Sequence, residues 1–136
     1  MSEKIQDLSH LKVLIVDDVA NMRTVIKTAL QTMGIRNVST ANDGADALKE
    51  LHLTSDYDIV LLDINMSPLD GLDTLRLLRT GKDSPAPKAR VIMVTGYTDA
   101  ATVMAAKEIG IQGYIAKPIS IRALYSSIVK ALKMDV

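Results

Sequence analysis

Four apolar runs, each closed by a residue able to carry chemistry, constrain this chain more than anything else in it. Leu14-Ile15-Val16 ends in the adjacent carboxylates Asp17 and Asp18, and Ile59-Val60-Leu61-Leu62 ends in Asp63. Val91-Ile92-Met93-Val94 ends in Thr95, and Gly113-Tyr114-Ile115-Ala116 ends in Lys117-Pro118. Continuous apolar runs of this length, separated by helical patterns, read as strands of a parallel sheet buried on both faces. Such strands all point the same way, so the residues that close them gather at one edge. Ligands of open α/β sheets bind there, outside the carboxyl ends of the strands. Asp17, Asp18, Asp63, Thr95 and Lys117 are therefore expected to share a pocket.

Between the runs the period changes from strand to helix. After the first strand, Lys12 to Val16, the residues Val19, Met22, Val25, Ile26, Ala29, Leu30 and Met33 recur at three- and four-residue steps, one face of a helix. Gly34 stands where a left-handed C-terminal cap is expected. Val38 to Ala41 reads as a second strand, and Asn42-Asp43-Gly44 as a turn that caps a helix carrying Ala45, Ala47, Leu48 and Leu51. A third strand runs from Tyr57 to Asp63, and a third helix from Gly71 to Arg79 through Leu72, Leu75, Leu77 and Leu78. Thr80 to Pro87 is a loop by composition. Arg90 to Thr95 gives the fourth strand, Asp99 to Ile109 the fourth helix, and Gln112 to Ala116 the fifth strand. Ser120 is placed to cap a last helix with Ile121, Leu124, Ile128 and Leu132 as its buried stripe.

Strict alternation of β and α predicts a doubly wound α/β fold, (βα)5, with helices on both faces of a five-stranded parallel sheet. Residues 1–10 read as a polar arm and 11–136 as one domain. The 136 residues suffice for a real core, and 48% hydrophobic with 24% charged is ordinary globular composition. Sixteen Lys plus Arg balance sixteen Asp plus Glu, so neither nucleic acid nor an anionic membrane is suggested as a partner. Cysteine is absent, which removes disulfides and thiolate metal sites. The first residues carry charge and no apolar stretch of signal-peptide type, and no run approaches the roughly 18 residues of a membrane span. A cytoplasmic chain is expected.

Any one of these strand-end residues has an ordinary reading. An Asp-Asp pair is often a turn and a helix cap, Thr95 a strand-end hydroxyl, and Lys117 a solvated charge. Their convergence on one task distinguishes them. Two carboxylates 4 Å apart repel by about 4 kcal/mol at an effective dielectric of 20. A hard divalent cation relieves that repulsion, and Mg²⁺ favours carboxylates plus retained waters. A screened carboxylate can attack a phosphoryl group, while a Lys ammonium and a Thr hydroxyl hold the remaining phosphoryl oxygens. Met93 and Met104 read as core filler, and His10 and His52 lie on polar stretches away from the site.

On these motifs the chain, over about residues 11–133, resembles the response-regulator receiver domains of two-component signalling, and among them the chemotaxis regulators. The resemblance implies the flavodoxin-like strand order 2-1-3-4-5. It implies Asp63 as phosphoacceptor, Asp18 and Asp63 as direct Mg²⁺ ligands with the Asn65 carbonyl, and Asp17 acting through water. Thr95 is then the switch hydroxyl, Lys117 the phosphate-binding cation and Tyr114 the switch aromatic, with a cis bond before Pro118. A fixed, half-buried strand aromatic is the other reading of Tyr114. Gly96 stands where the family has a small residue and leaves room at Asp63. Tyr97 either screens the phosphoryl group from water or is an exposed loop aromatic. One departure is Met66-Ser67-Pro68, where the family usually has Met-Pro.

The implied function is a phosphorylation-operated switch. A sensor histidine kinase or histidine phosphotransfer protein supplies the phosphoryl group, and a protein target docks on the fourth helix, fifth strand and fifth helix. Self-phosphorylation and self-dephosphorylation would be its only chemistry, and a monomer is expected. A phosphorelay intermediate and a receiver module of a hybrid kinase are alternatives within the class. From another class, an Mg²⁺-dependent phosphatase with an Asp nucleophile would want Asp-x-Asp-x-Thr after the first strand, which Asp17-Asp18-Val19-Ala20 does not supply. A flavodoxin-like carrier would want a Ser/Thr/Gly-rich phosphate loop there, and no P-loop pattern occurs either.

Overall fold

Strands and helices alternate along the chain in the computed structural model, which describes residues 7–54, 56–66, 69–80, 89–96 and 100–134. Their order is β1 (Lys12–Val16), α1 (Ala20–Thr32), β2 (Asn37–Ala41), α2 (Gly44–Leu53), β3 (Ile59–Leu62), α3 (Gly71–Arg79), β4 (Arg90–Thr95), α4 (Ala100–Ile109), β5 (Gly113–Ala116) and α5 (Ile121–Leu132). All pairings are parallel, and the sheet order is β2-β1-β3-β4-β5, as the resemblance implies.

Alternating side chains explain why the central strands are apolar without interruption. Leu14, Val16, Val60, Leu62, Val91 and Met93 point to one face, where Leu51 of α2, Leu75 and Leu78 of α3 and Ala106 of α4 cover them. Val13, Ile15, Ile59, Leu61, Ile92 and Val94 point to the other, against Ile26 and Leu30 of α1 and Leu124 and Ile128 of α5. Each strand thus feeds two cores, and a polar residue inside one would face a core on either side.

Local chemistry sets the boundaries. Gly34, with φ +90°, ends α1; its N–H donates to Gln31 O at 3.0 Å and the Ile35 N–H to Leu30 O at 3.0 Å, a Schellman cap. Asp43, Asp70 and Ser120 cap α2, α3 and α5 by accepting from the amides of Asp46, Asp73 and Ala123. Helix α1 differs: its N-cap is Val19, with no capping side chain. Two strands start later than their apolar pattern. Gln112 bonds Val91 through its own N–H and through its side-chain Oε1, both at 2.8 Å, so the side chain replaces a rung and β5 begins at Gly113. Likewise the Asp58 carboxylate takes the Lys12 N–H at 2.8 Å ahead of β3.

Several expectations need correction. Leu8, assigned to the polar arm, is 1% exposed and belongs to the core of the α1/α5 face together with Leu11. Val25, Leu77 and Ile121 fit a helical face by spacing yet lie at its edge and stand half exposed. Met104, read as core filler, is 60% exposed because α4 buries only Ala106; Met93 is in the core as expected. Ser67, Pro68, Tyr97, Asp99 and residues 81–87 of the expected loop lie outside the described residues.

Candidate functional site

Register brings the strand ends together. Val16 pairs with Leu62, so Asp17 and Asp63 leave adjacent strands at the same level, and the Asp63 N–H donates to Val16 O at 3.0 Å. Thr95 pairs with Ala116, and the Lys117 N–H donates to Thr95 O at 2.9 Å. Asp17, Asp18 and Asp63 each offer a carboxylate oxygen within 4.8 Å of the others. Lys117 Nζ completes the cluster, 3.0 Å from Asp17 Oδ2 and 3.4 Å from Asp63 Oδ2.

The members differ in access. Asp18, Val19, Asp63, Asn65, Met66, Gly96 and Lys117 line an open cleft of about 460 Å³. Asp17 and Thr95 lie beneath that lining, Asp17 only 1% exposed and Thr95 fully buried. Asp17 is heavily engaged: Oδ1 accepts the Val19 N–H at 2.9 Å, Oδ2 accepts from Lys117, and its backbone oxygen accepts Arg23 Nη1 at 2.7 Å. Asp63 Oδ1 accepts the Asn65 N–H at a long 3.3 Å. Burial pushes the Asp63 carboxyl above its ordinary pKa; the Lys117 ammonium pulls it down, and the Asp17 charge pushes it up again.

Backbone packing fixes the turn after Asp63. The Gly71 N–H donates to Ile64 O at 2.8 Å, and a Cβ on Gly71 would collide with Asp63 O and Ile64 Cα. Only glycine lets the start of α3 sit this close to the strand end. A Cβ at Gly96 would meet no atom of the described residues within 4 Å. Tyr114 lies on β5, half-buried against the α2/α3 core. The Lys117-Pro118 peptide is cis, and Pro118 is exposed at the rim. Val19 as a cleft wall and Arg23 as a partner of Asp17 escape sequence reading, with no motif to mark them, and Met66, noted only within Met66-Ser67-Pro68, also lines the cleft.

The donor set suits a hard divalent cation. Metal–oxygen distances of about 2.1 Å place ligand oxygens about 3 to 4 Å apart, and the carboxylate oxygens of the cluster, within 4.8 Å of one another, lie close to that spacing. The open cleft supplies room for retained waters, and a neighbouring positive charge offsets the burial that pushes the Asp63 carboxyl up.

This chain belongs to the response regulator receiver domain family, whose family model matches residues 13–129. Within that family it is CheY-like. It is 36% identical to the chemotaxis protein CheY of Pseudomonas aeruginosa over 88% of this chain and 94% of that protein. It is 35% identical to CheY-3 of Vibrio cholerae over 85% of this chain and 86% of that protein. Among solved structures, Vibrio cholerae CheY4 superposes with a TM-score of 0.81 at 28% identity, covering 90% of this chain and 98% of that one. The response regulator domain of Thermotoga maritima CheB gives 0.79 at 30% identity, covering 93% and 98%. No helix among the described residues is long and apolar enough to cross a membrane.

Proposed function

We propose that this receiver domain accepts a phosphoryl group on Asp63, with Mg²⁺ as cofactor, and thereby changes which proteins it binds. The observation that carries the reading is the Asp63 carboxylate in an open cleft, flanked by two more carboxylates and by Lys117. Asp18 and Asp63, with the Asn65 carbonyl, would hold the cation directly. Asp17 would act through water, because its oxygens are already taken by Lys117 and the Val19 amide and it does not line the cleft. The bound cation supplies charge that screens the carboxylates and the incoming phosphoryl oxygens.

An Asp63 oxygen attacks phosphorus as the bond to the donor breaks, the donor being a phosphohistidine of a sensor kinase or histidine phosphotransfer protein. Lys117 then turns from its carboxylate partners to a phosphoryl oxygen, and Gly96 leaves the approach clear. The new charge and acceptor oxygens draw the Thr95 hydroxyl inward. Tyr114, behind Thr95 on the neighbouring strand, rotates into the space released, altering the α4-β5-α5 surface where a protein target docks. The shift is between two populated states, limited by the target's differential affinity for them. The chain is a monomer that acts on itself alone, in the cytoplasm, with protein partners and no nucleic acid.

Mass spectrometry after incubation with acetyl phosphate tests this. One phosphoryl adduct is expected, dependent on Mg²⁺ and lost in Asp63→Asn. An adduct that persists in Asp63→Asn overturns the assignment, and sustained turnover of a small phosphate ester marks an aspartyl-nucleophile phosphatase instead. For the switch, NMR shifts of the Tyr114 ring and the α4 amides should move on adding beryllofluoride with Mg²⁺; an unmoved ring makes Tyr114 a fixed strand aromatic.

A further inference from the structure

Asp18 is the one carboxylate of the cluster that is exposed, and no hydrogen bond to its side chain is found among the described residues. Its carboxylate position is therefore set by its backbone, in the turn between β1 and α1. That turn lacks the usual fixture, since Val19 at the N-cap has no side chain to accept from α1 and the first turn has no acidic residue. The turn is held by Asp17 instead. Its carboxylate accepts the Val19 N–H at 2.9 Å, and its carbonyl, part of the peptide unit leading into Asp18, accepts Arg23 Nη1 at 2.7 Å. Arg23 reaches back from the first turn of α1 and is partly buried, so this charge-assisted bond is not fully open to water.

We infer that Arg23 is a positioning residue for the cation site: by fixing the Asp17 carbonyl it orients the Asp17–Asp18 peptide and aims the Asp18 carboxylate at the cleft. The inference rests on Asp18 being a direct metal ligand. Partners one step removed from a metal matter because they remove the ordering cost from the binding event. Without Arg23 the Asp18 backbone samples orientations in which its carboxylate points to solvent, and cation binding must select one of them.

Amide shifts of Asp18 and Asn65, followed by NMR during titration with MgCl₂ alone, test the inference without reference to phosphorylation. Arg23→Met keeps the aliphatic packing and removes the donor; its Mg²⁺ affinity should fall about tenfold. Arg23→Lys, which keeps one cationic donor, should lie between it and the wild-type chain. Lys27→Met removes a cation one turn further along α1 that touches neither Asp17 nor Asp18 in the described contacts, and should bind as wild type. Wild-type affinity in Arg23→Met, or an equal loss in Lys27→Met, overturns the inference, the second because it reduces the effect to general charge. Wild-type amides that do not respond to Mg²⁺ overturn the metal reading of the site and the inference with it.

Discussion

Lys117 Nζ lies 3.0 Å from Asp17 Oδ2, a pairing between residues 100 positions apart in the chain. It decides how the acidic cluster survives without a cation. The deepest carboxylate is neutralised by the protein itself, while Asp63, the next most buried, shares the same ammonium at 3.4 Å. Asp18, in solvent, needs no partner.

Lys117→Met should destabilise the metal-free chain by at least about 2 kcal/mol, since it leaves two buried carboxylates with no counter-charge. Adding Mg²⁺ should recover part of the loss. Urea unfolding in EDTA and in MgCl₂ measures both, and equal stability of variant and wild type in EDTA contradicts the pairing.

Asp63→Asn should be more stable than wild type in EDTA at neutral pH. The folded pKa of Asp63 is raised by burial above 3.8, so the folded state holds the proton more tightly than the unfolded chain does. Stability from this group is present in acid and lost as pH rises from the ordinary carboxylate value through the raised one. The advantage of Asn should therefore shrink on acidification and close below a pH of about 3.8. Thermal unfolding across pH reads it, and a variant less stable at neutral pH refutes the sign. Removing Asp63 does not orphan Lys117, which keeps Asp17.

Gly71→Ala should cost about 1 to 3 kcal/mol, because the added methyl meets backbone atoms of Asp63 and Ile64 rather than a side chain that can swing away. The strain falls on the strand end that carries Asp63, so the amide shifts of Asp63 and Asn65 should move as well. Unchanged shifts together with a wild-type urea midpoint would remove this close approach from the account of the site.

Arg79→Met should cost about 2 kcal/mol. The guanidinium donates to Gly110 O at 3.0 Å, to Ala89 O at 2.5 Å and to Gln112 Oε1 at 2.8 Å, tying the ends of α3 and α4 to the starts of β4 and β5. Hydrogen exchange should speed up at Gly110 and Gln112 and stay slow at Val13 to Val16. A uniform change across the sheet would mean that Arg79 supports the whole core and not this corner.

Local sequence was enough for most of the elements. Gly34 marks a helix end because it adopts positive φ, and Asp43 and Ser120 mark helix starts because their oxygens satisfy free amides. The apolar runs announced strands buried on both faces, and their polar closures placed Asp17, Asp18, Asp63, Thr95 and Lys117 at one edge. Periodicity could not tell the middle of a helix face from its rim: Val25 and Ile121 satisfy the spacing and stand half exposed, while Leu8 lacks any pattern and is buried. Burial at a rim depends on how far the neighbouring element reaches, which is not written in the helix itself.

The residue types at the site, and hence its chemistry, were determined by the sequence, because strand direction alone carries each run's last residue to the same edge. What tertiary structure decided was the division of labour among like residues. Asp17 and Asp18 are adjacent and chemically identical in the sequence, yet the register of Val16 with Leu62 and the turn into α1 bury one against Lys117 and leave the other facing the cleft. Arg23 enters for the same reason. Its carbonyl partner is set by where α1 packs on the sheet, a long-range outcome of burying Ile26 and Leu30, and no pattern local to Arg23 encodes it.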